Sequence, residues 1–412
     1  MEGLAKSLNT LSRGWLWLAV LLTPLLALAG GLGFQVVGCA LGLSALISWL
    51  ADRTGAGYLR AAWPIWLIGF ILWAWVSTLW SPHEAAFWGG GGSLLAALVL
   101  PLLFAPKIVL DTPERLNSSL IWTVIGAGCV GVLLLLIDAA TGFGLSLWGD
   151  PVRAGEDPIQ RLSDAEMNLG RGQVSYVQLL WPVAVLLILR VKCGLAAALA
   201  AFAGLIASAY FNNLSIVTPA VILAGGFAAL AWVRPSQGLI LAFTVAICSL
   251  MFAPVLGIAS AMIDIEAMRE IPLSWEHRLR MWGYSWDLIQ QAPIVGHGFD
   301  SARVFDELTF RVPDGRDITV MSLHPHNIGI HIWLETGLVG VFLAVGFLLA
   351  LLKSLLKICT APAQACAVSG LIVSIAANGA ATVGVWQHWW WALIAFSAIL
   401  ICLVPKTHAV KT

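Results

Sequence analysis

His326 and Asn327 stand where a polar stretch gives way to an apolar one, in the run SLHPHNIGIHIWLETGLVGVF. Nine residues separate Asn327 from Gly337, and two more precede Gly340. A neutral imidazole within reach of a hydroxyl takes its proton and speeds its attack by roughly 10²–10⁴. Protonated, the same ring binds an anion, so the sequence leaves His326 as a base or as a cation. The two glycines lie about one turn apart, which predicts that another helix approaches closely there.

Arginines are concentrated in two long polar segments, about 141–172 and about 258–327, which contain no lysine. Arginine presents a planar fork of donors that binds phosphate or carboxylate bidentately, and lysine does not. Nearby acids such as Glu276 and Asp306 will pair with some of them, but we expect at least two to bind a ligand. The nine arginines are Arg153, Arg161, Arg171, Arg269, Arg278, Arg280, Arg303, Arg311 and Arg316.

The composition requires a membrane around these residues. Hydrophobic residues make up 59% of the chain and charged residues 11%, whereas a soluble domain carries roughly 25% charged residues. The formal net charge is zero, which gives no support to nucleic acid as a partner.

Apolar runs of the length that crosses a bilayer, roughly 20 residues, recur along the chain. We interpret the first as an uncleaved helix rather than a signal peptide, because a turn at Gly30–Gly33 leads directly into the second. The predicted spans are 14–32, 35–50, 62–80, 88–105, 117–139, 173–190, 194–211, 214–232, 236–257, 328–352, 361–380 and 386–404.

The distribution of basic residues orients these spans. With the N-terminus in the cytoplasm, 13 of the 22 lysines and arginines fall in short inner segments, and the short outer loops have none. Both arginine-rich segments and His326 then face outwards. The predicted organisation is spans one to nine in 1–257 with the outer loop 141–172, a large outer loop in 258–327, and the last three spans with an inner tail in 328–412.

The large outer loop contains a predicted amphipathic helix over residues 274–291, with Ser274 as its N-cap. Trp275, Leu279, Trp282, Trp286 and Ile289 recur at three- and four-residue spacing. Such a helix lies at the membrane interface or packs on the bundle, and the sequence leaves both open.

Histidines near the motif resemble a metal cluster at first sight, since His324, His326, His331, His297 and Glu335 are close in sequence. Their spacing is generic, and neither an HExxH motif nor a cysteine pair is present, so we expect no metal site. Asp138 and Asn378 lie in apolar segments, where polar groups are costly in lipid and are expected to face the protein interior.

The motif of His326, Asn327, Gly337 and Gly340 resembles the signature of the bacterial O-antigen ligases. That signature is His, then Asn, Ser or Gln, nine residues, Gly, two residues, and Gly, Thr or Tyr. The upstream stretches RLRMW and PIVGHG are similar to the large periplasmic loop of the wider family of ligases and polymerases. The hairpin at 212–216 lacks the arginine that many members carry there.

This resemblance implies an all-α membrane glycosyltransferase of the C type, in the bacterial inner membrane, with its site facing the periplasm and with no metal or other cofactor. Its partners would be a glycan on undecaprenyl diphosphate as donor, the lipid A–core oligosaccharide as acceptor, and membrane lipids. The implied residues are, for catalysis, His326 with Arg278 or Arg280, and, for substrate binding, Arg161, Arg171, Arg303 and Asn327.

Two other functions remain open. A polymerase of O-antigen or exopolysaccharide uses the same donor and adds to another lipid-linked glycan. A transporter of lipid-linked sugars is the alternative from a different class, and it predicts ionisable residues within spans and helices broken within the membrane.

Overall fold

The protein is described here by a computed structural model. The structure describes residues 2–52, 57–84, 99–110, 114–149, 157–214, 216–265, 271–312 and 315–405. Arg153, Arg269 and most of the predicted span 88–105 lie outside the described residues.

Helices form most of the described chain, which confirms the all-α fold. They are α1 (Glu2–Leu28), α2 (Phe34–Asp52), α3 (Trp63–Val76), α4 (Leu100–Phe104), α5 (Pro106–Leu110), α6 (Glu114–Ala140), α7 (Gly144–Gly149), α8 (Pro158–Arg190), α9 (Gly194–Phe211), α10 (Val217–Val233), α11 (Pro235–Met251), α12 (Ala253–Met262), α13 (Leu273–Gln291), α14 (Ile328–Ile358), α15 (Pro362–Gly379) and α16 (His388–Ile401).

Within the described residues, 7 helices are long and apolar enough to cross a membrane, or 8 if the bent pair α11 and α12 forms one span. Shorter apolar helices occur at Trp63–Leu79, Leu100–Leu110, Val217–Val233 and His388–Ile401. Together these correspond to the apolar segments that the sequence predicts, and they confirm a polytopic membrane protein.

Helix α8 is the centre of the bundle, and it is longer than the sequence predicts. It packs against α1, α6, α9, α15 and α16. It begins at Pro158, where the Asp157 side chain accepts from the N–H of Ile159 at 3.0 Å, and not at residue 173. The stretch 158–172, predicted as loop, is therefore helical, because a cap and a proline in the first turn start the helix early.

The predicted span 236–257 is bent by 51° between α11 and α12. Pro254 lies in the first turn of α12, and a proline inside a helix deprives the carbonyl four residues earlier of its hydrogen bond. That carbonyl belongs to Leu250, and it accepts from the Trp333 indole N–H at 2.9 Å. The bend thus ties α11 to α14.

Helix α13 confirms the amphipathic helix of the outer loop. It begins at Leu273 after Pro272, so Ser274 lies within it and the N-cap prediction is wrong. Pro272, with φ −56° and ψ 137°, sets the extended entry instead. The buried face packs on α12, where Gly257 leaves room for the chain at Trp286: a Cβ there would lie 2.9 Å from the Trp286 Cβ.

The rest of the outer segment carries a small hairpin that the sequence did not indicate. Strand β1 (Thr309–Arg311) pairs antiparallel with β2 (Asp317–Thr319). His277 on α13 holds it, since its Nε2 lies 2.9 Å from the Thr319 carbonyl oxygen.

Asp138 and Asn378 are both fully buried in protein, as expected. Asp138 Oδ1 accepts from the N–H groups of Leu145 and Ser146 at 2.8 and 2.9 Å, so this carboxylate caps the first turn of α7.

Candidate active site

Asn327 begins α14. Its Oδ1 accepts from the N–H of Ile330 at 3.0 Å, which is the bond of an N-cap. Its Nδ2 donates to the carbonyl of Ala380 at 3.0 Å. The asparagine of the motif therefore starts the helix and joins it to the connection between α15 and α16.

Helix α14 is broken at Gly337, which has φ 61° and ψ −163°. A Cβ at this position would lie 2.4 Å from the carbonyl carbon of Ile294, so glycine is required both by the backbone and by the contact. What approaches the motif glycine is thus the loop that follows α13, and the prediction of a close-packed second helix is wrong.

The loop Pro293–Gly298 satisfies both sides of the break. The carbonyls of Leu334 and Glu335 accept from the N–H groups of His297 and Gly298 at 2.9 and 2.8 Å. In return, the N–H of Leu338 donates to Pro293 at 2.9 Å. The outer loop and the broken helix are therefore one hydrogen-bonded unit.

The connection between α15 and α16, Ala380–Gln387, is the surface on which the motif residues meet, and we name it the platform. Its first three carbonyls each accept from a different predicted site residue. Asn327 Nδ2 donates to Ala380 at 3.0 Å, Arg278 Nε donates to Ala381 at 2.8 Å, and His326 Nδ1 lies 3.0 Å from the Thr382 oxygen. Three residues chosen from sequence are thus brought to consecutive positions.

The Thr382 contact decides which nitrogen of His326 carries the proton. A carbonyl oxygen only accepts, so Nδ1 is protonated and Nε2 keeps the lone pair. Burial lowers the pKa of His326 to about 4, opposed by the Thr382 bond and reinforced by the charge of Arg278. The ring is therefore neutral near pH 7, as a base requires. It has a φ of 51°, a left-handed conformation that histidine adopts more readily than most residues.

Arg278 is the arginine that reaches His326. Besides the bond to Ala381, its Nη1 donates to the carbonyl of Ser274 at 2.6 Å. Within the described residues no carboxylate pairs with it, and burial lowers the pKa of its guanidinium. Its Nη2 has no protein acceptor among those residues, so two donors remain for an anion.

Arg280 points elsewhere, because two residues along a helix turn the side chain to the opposite face. Its Nη2 lies 2.8 Å from Glu276 Oε1, and its guanidinium stacks 4.7 Å above the Phe310 ring of β1. The structure thus separates the two arginines between which the sequence did not choose.

The far half of the platform is held by two further histidines. His324 Nδ1 accepts from the backbone N–H of His326 at 3.2 Å, and its Nε2 lies 2.9 Å from the Gln387 carboxamide. Its ring stacks on His331 with centroids 6.0 Å apart. His331 Nδ1 accepts from the N–H of Val385 at 3.1 Å. Burial is the main cause that lowers the pKa of His324, and His326 and His331 add to it.

Glu335 is fully buried next to the break, and donors from three segments surround its carboxylate. The N–H groups of Asp300 and Ala302 donate to it at 2.6 and 2.9 Å, and the Trp386 indole N–H donates to it from the platform. His331 Nε2 lies 3.0 Å from its Oε1. These four partners join the outer loop, α14 and the platform at one point.

Arg161 and Arg171 both lie on α8, away from the three carbonyls. Arg161 Nη2 donates to the carbonyl of Leu147 in α7 at 2.6 Å. Arg171 Nη1 donates to Asn168 Oδ1 at 3.2 Å. Besides burial and the neighbouring histidines, the charges of Arg303 and Arg171 help to lower the pKa of His324, whereas Arg161 is bonded to α7.

Arg303 is paired within its own turn. Its Nε donates to both oxygens of Asp300 at 2.8 Å, and its side chain is half-exposed. Burial and the charge of Glu335 raise the pKa of Asp300, whereas Arg303 lowers it. Arg303 is therefore held by Asp300 and forms no hydrogen bond to the platform among the described residues, although its charge helps to lower the pKa of His324.

The sequence missed the platform because its contribution is backbone carbonyls, which leave no side-chain signature. It considered His324, His331 and Glu335 only as metal ligands. The described residues contain no group of three or more side chains placed to hold a metal ion. The signal that could have identified Glu335 is that it is a carboxylate within an apolar run.

A cavity of about 1580 Å³ runs beside α14. One end is lined by Asn327, Ala380 and Trp386, so it opens at the cap and the platform. Its walls are mostly apolar side chains from α3, α11, α14, α15 and α16. An apolar chain attached to a group at the site would fit beside α14.

Residues 179–345 match the profile of the family described as O-antigen ligase. This range holds Arg278, His326 and the break at Gly337, but not Arg171 or the platform. A protein of Rickettsia bellii that bears the name of a polysaccharide ligase is 30% identical over 140 residues, covering 32% of this chain and 33% of the relative. A protein of the same name in Rickettsia felis is 27% identical over 136 residues, covering 32% of this chain and 33% of the relative.

In both cases the matched stretch spans about a third of the relative's length. The match to the family profile and the motif fall on the same part of the chain, which contains α13 and the first half of α14. These comparisons confirm the resemblance of this chain to the O-antigen ligase family.

Proposed function

We propose that this protein is a glycosyltransferase of the O-antigen ligase type, which moves a glycan from undecaprenyl diphosphate to a sugar hydroxyl of lipid A–core oligosaccharide. The family match supports ligation of a polysaccharide. The distribution of lysine and arginine supports a multi-pass protein of the bacterial inner membrane with its site on the periplasmic side.

One observation carries the proposal: His326 and Arg278 are bound to adjacent platform carbonyls, and each has a nitrogen left over. Because Nδ1 of His326 is bonded to Thr382, its lone pair lies on Nε2. Because Nε and Nη1 of Arg278 are bonded to Ala381 and Ser274, its Nη2 remains without a protein partner among the described residues. A general base and a cationic donor side by side suit attack by a hydroxyl on a diphosphate-linked carbon.

In the transfer, the acceptor oxygen forms a bond to the anomeric carbon of the donor glycan, and its proton passes to His326 Nε2. The bond from that carbon to the diphosphate oxygen breaks, and the electron pair leaves on the diphosphate. Arg278 stabilises the charge that develops there, because its Nη2 is held in place before the reaction begins.

The donor's polyprenyl chain is accommodated by the apolar cavity that opens at Asn327 and Ala380. Such an arrangement places the diphosphate at the site while the chain stays out of water. Arg303 and Arg171, whose charges both act on His324, are the further arginines available to the substrates.

The transporter alternative predicts a broken helix and ionisable residues within spans, and α14 has both. Each, however, is fully engaged by protein. The loop Pro293–Gly298 occupies the backbone groups at Gly337, and Glu335 receives three N–H donors and His331. A solute carried across the membrane would need these groups free, so the geometry favours an enzyme.

The test is transfer by purified protein supplied with an undecaprenyl-diphosphate glycan and either lipid A–core or a second lipid-linked glycan. We expect the product, identified by mass spectrometry, to form on lipid A–core. Product on the second lipid-linked glycan would identify a polymerase, and flux across vesicles without transfer would identify a transporter.

His326→Ala is expected to lower the rate by roughly 10²–10⁴. His388→Ala, which removes another imidazole near the platform, serves as the matched control and should stay close to wild type. Full activity of the His326 variant would remove the central element of the mechanism.

A further inference from the structure

The end of the cavity remote from His326 is basic. Arg60, Lys353 and Lys357 line it. Lys353 and Lys357 are four residues apart on α14, so they lie on one face of the helix. None of the ion pairs among the described residues includes any of the three.

A buried acceptor lines the same end. Gln364 is 7% exposed, and its Nε2 donates to the carbonyl of Val404 at 3.0 Å. Its Oε1 has no donor partner in the described part of the chain. This oxygen is itself out of contact with open space, so Gln364 closes this end of the cavity rather than offering it an acceptor.

The two ends of the cavity are far apart. The part of α14 beyond the break, residues 338–358, is about 32 Å long, close to a hydrocarbon core of about 30 Å. The walls between are apolar, and the volume of about 1580 Å³ exceeds the roughly 300–1,000 Å³ of a pocket for a compact small molecule. The shape suits a molecule with long apolar chains and a polar end.

We propose that this basic end binds a phospholipid from the membrane leaflet beside it. The phosphate lies between Arg60, Lys353 and Lys357, and the acyl chains enter the cavity. Lysines at helix ends attract a leaflet diffusely, but an adjoining apolar cavity defines a single position. The inference concerns lipid binding and does not depend on the transfer reaction.

The experiment counts bound lipid by native mass spectrometry, after the full-length protein is taken from nanodiscs of phosphatidylcholine with a minor fraction of phosphatidylglycerol. We expect the wild type to retain phosphatidylglycerol in preference to phosphatidylcholine. K353A/K357A should retain it roughly thirtyfold more weakly, since each lysine contributes about 1 kcal/mol to attraction of anionic lipid. R190A/K192A removes the same charge from exposed residues outside the cavity and should change little.

One more variant separates the cavity from the surface. Ser354→Trp fills the cavity between the two lysines and should displace the lipid.

Equal loss in both double variants would overturn the proposal in favour of diffuse attraction. Unchanged retention by Ser354→Trp would place the lipid outside the cavity. One-for-one replacement of the retained phospholipid by undecaprenyl diphosphate would assign this end to the donor instead.

Discussion

Two clusters of polar side chains in this molecule differ in what their polar groups bond to. One cluster lies between α8 and α9, and the other lies on the platform. In the first, Gln173 Nε2 donates to Ser208 Oγ at 2.7 Å, and Ser208 Oγ donates to the carbonyl of Leu135 at 2.9 Å. Asn212 Nδ2 donates to Gln173 Oε1 at 3.1 Å. Except for Asn212 Oδ1, which has no partner among the described residues, the polar groups of this cluster bond to one another or to the backbone, as in the hydrogen bonds that join helices within membranes.

In the platform cluster the side chains form hydrogen bonds to backbone carbonyls, and two of their polar groups are left without a bond. His326 Nε2 and Arg278 Nη2 have no protein partner among the described residues. Both side chains are half-buried, so these two nitrogens stay within reach of a ligand. The difference teaches that the kind of group left without a bond, a base and a cation rather than an amide oxygen, distinguishes a reactive site from a structural one.

The α8–α9 cluster also lies where this sequence departs from the family pattern. Many members carry an arginine in the hairpin that follows α9, and here Asn212 is bound to Gln173 instead. Under the proposed mechanism, the diphosphate contact in this chain therefore depends more heavily on Arg278.

Loss of Glu335 should have the largest effect on the platform. Glu335→Ala leaves the N–H groups of Asp300 and Ala302 and the Trp386 indole without their acceptor, and it removes the carboxylate that lies 3.0 Å from His331 Nε2. We expect the free energy of unfolding to fall by roughly 3–5 kcal/mol, as when one partner of a buried charged group is removed. Thermal melting in detergent measures it. Glu276→Ala, whose surface pair with Arg280 contributes about 0–1 kcal/mol, is the control, and equal losses would contradict the comparison.

Arg278→Ala should reduce kcat by about 10²–10³, the usual effect of removing a fixed donor to developing charge. Arg280→Ala removes the same charge from a paired arginine on the opposite face and should leave kcat near that of wild type. Arg278→Lys keeps the charge without the fork and should fall between them. Steady-state kinetics with the lipid-linked donor decides, and a larger loss at Arg280 would reverse the assignment.

The pH profile distinguishes a base from a cation at His326. Because burial lowers the pKa of His326 to about 4, the neutral ring is lost only as the pH falls through about 4. At pH 5 roughly 90% of the ring is then neutral, compared with roughly 3% for an ordinary histidine of pKa 6.5. We expect kcat/KM to be nearly flat from pH 7 to 5. Activity that rises as the pH falls would support the cation.

The sequence predicted the apolar helices well, because their length and hydrophobicity are fixed by the bilayer. Through the family resemblance it named His326, Asn327 and either Arg278 or Arg280, and the structure joins the first two and Arg278 to the platform. It misplaced the start of α8, where Asp157 and Pro158 begin a helix inside a stretch of polar residues that hydropathy alone assigns to a loop.

The platform and the break at Gly337 could not be predicted from the sequence, for a different reason. The carbonyls of Ala380, Ala381 and Thr382 acquire a role only through long-range contacts. Gly337 was read as a packing glycine, since a positive φ is not visible until the loop Pro293–Gly298 is seen against it.

The smallest effect is expected in the structural cluster between α8 and α9. Gln173→Leu removes the acceptor of Asn212 but leaves Ser208 bonded to the Leu135 carbonyl. Hydrogen bonds between membrane helices contribute about 0.6 kcal/mol on average, so the melting temperature should fall slightly and kcat should not change. A fall in kcat as large as that of Arg278→Ala would mean that this cluster takes part in the reaction. The polar groups left without a bond would then no longer distinguish the reactive cluster from the structural one.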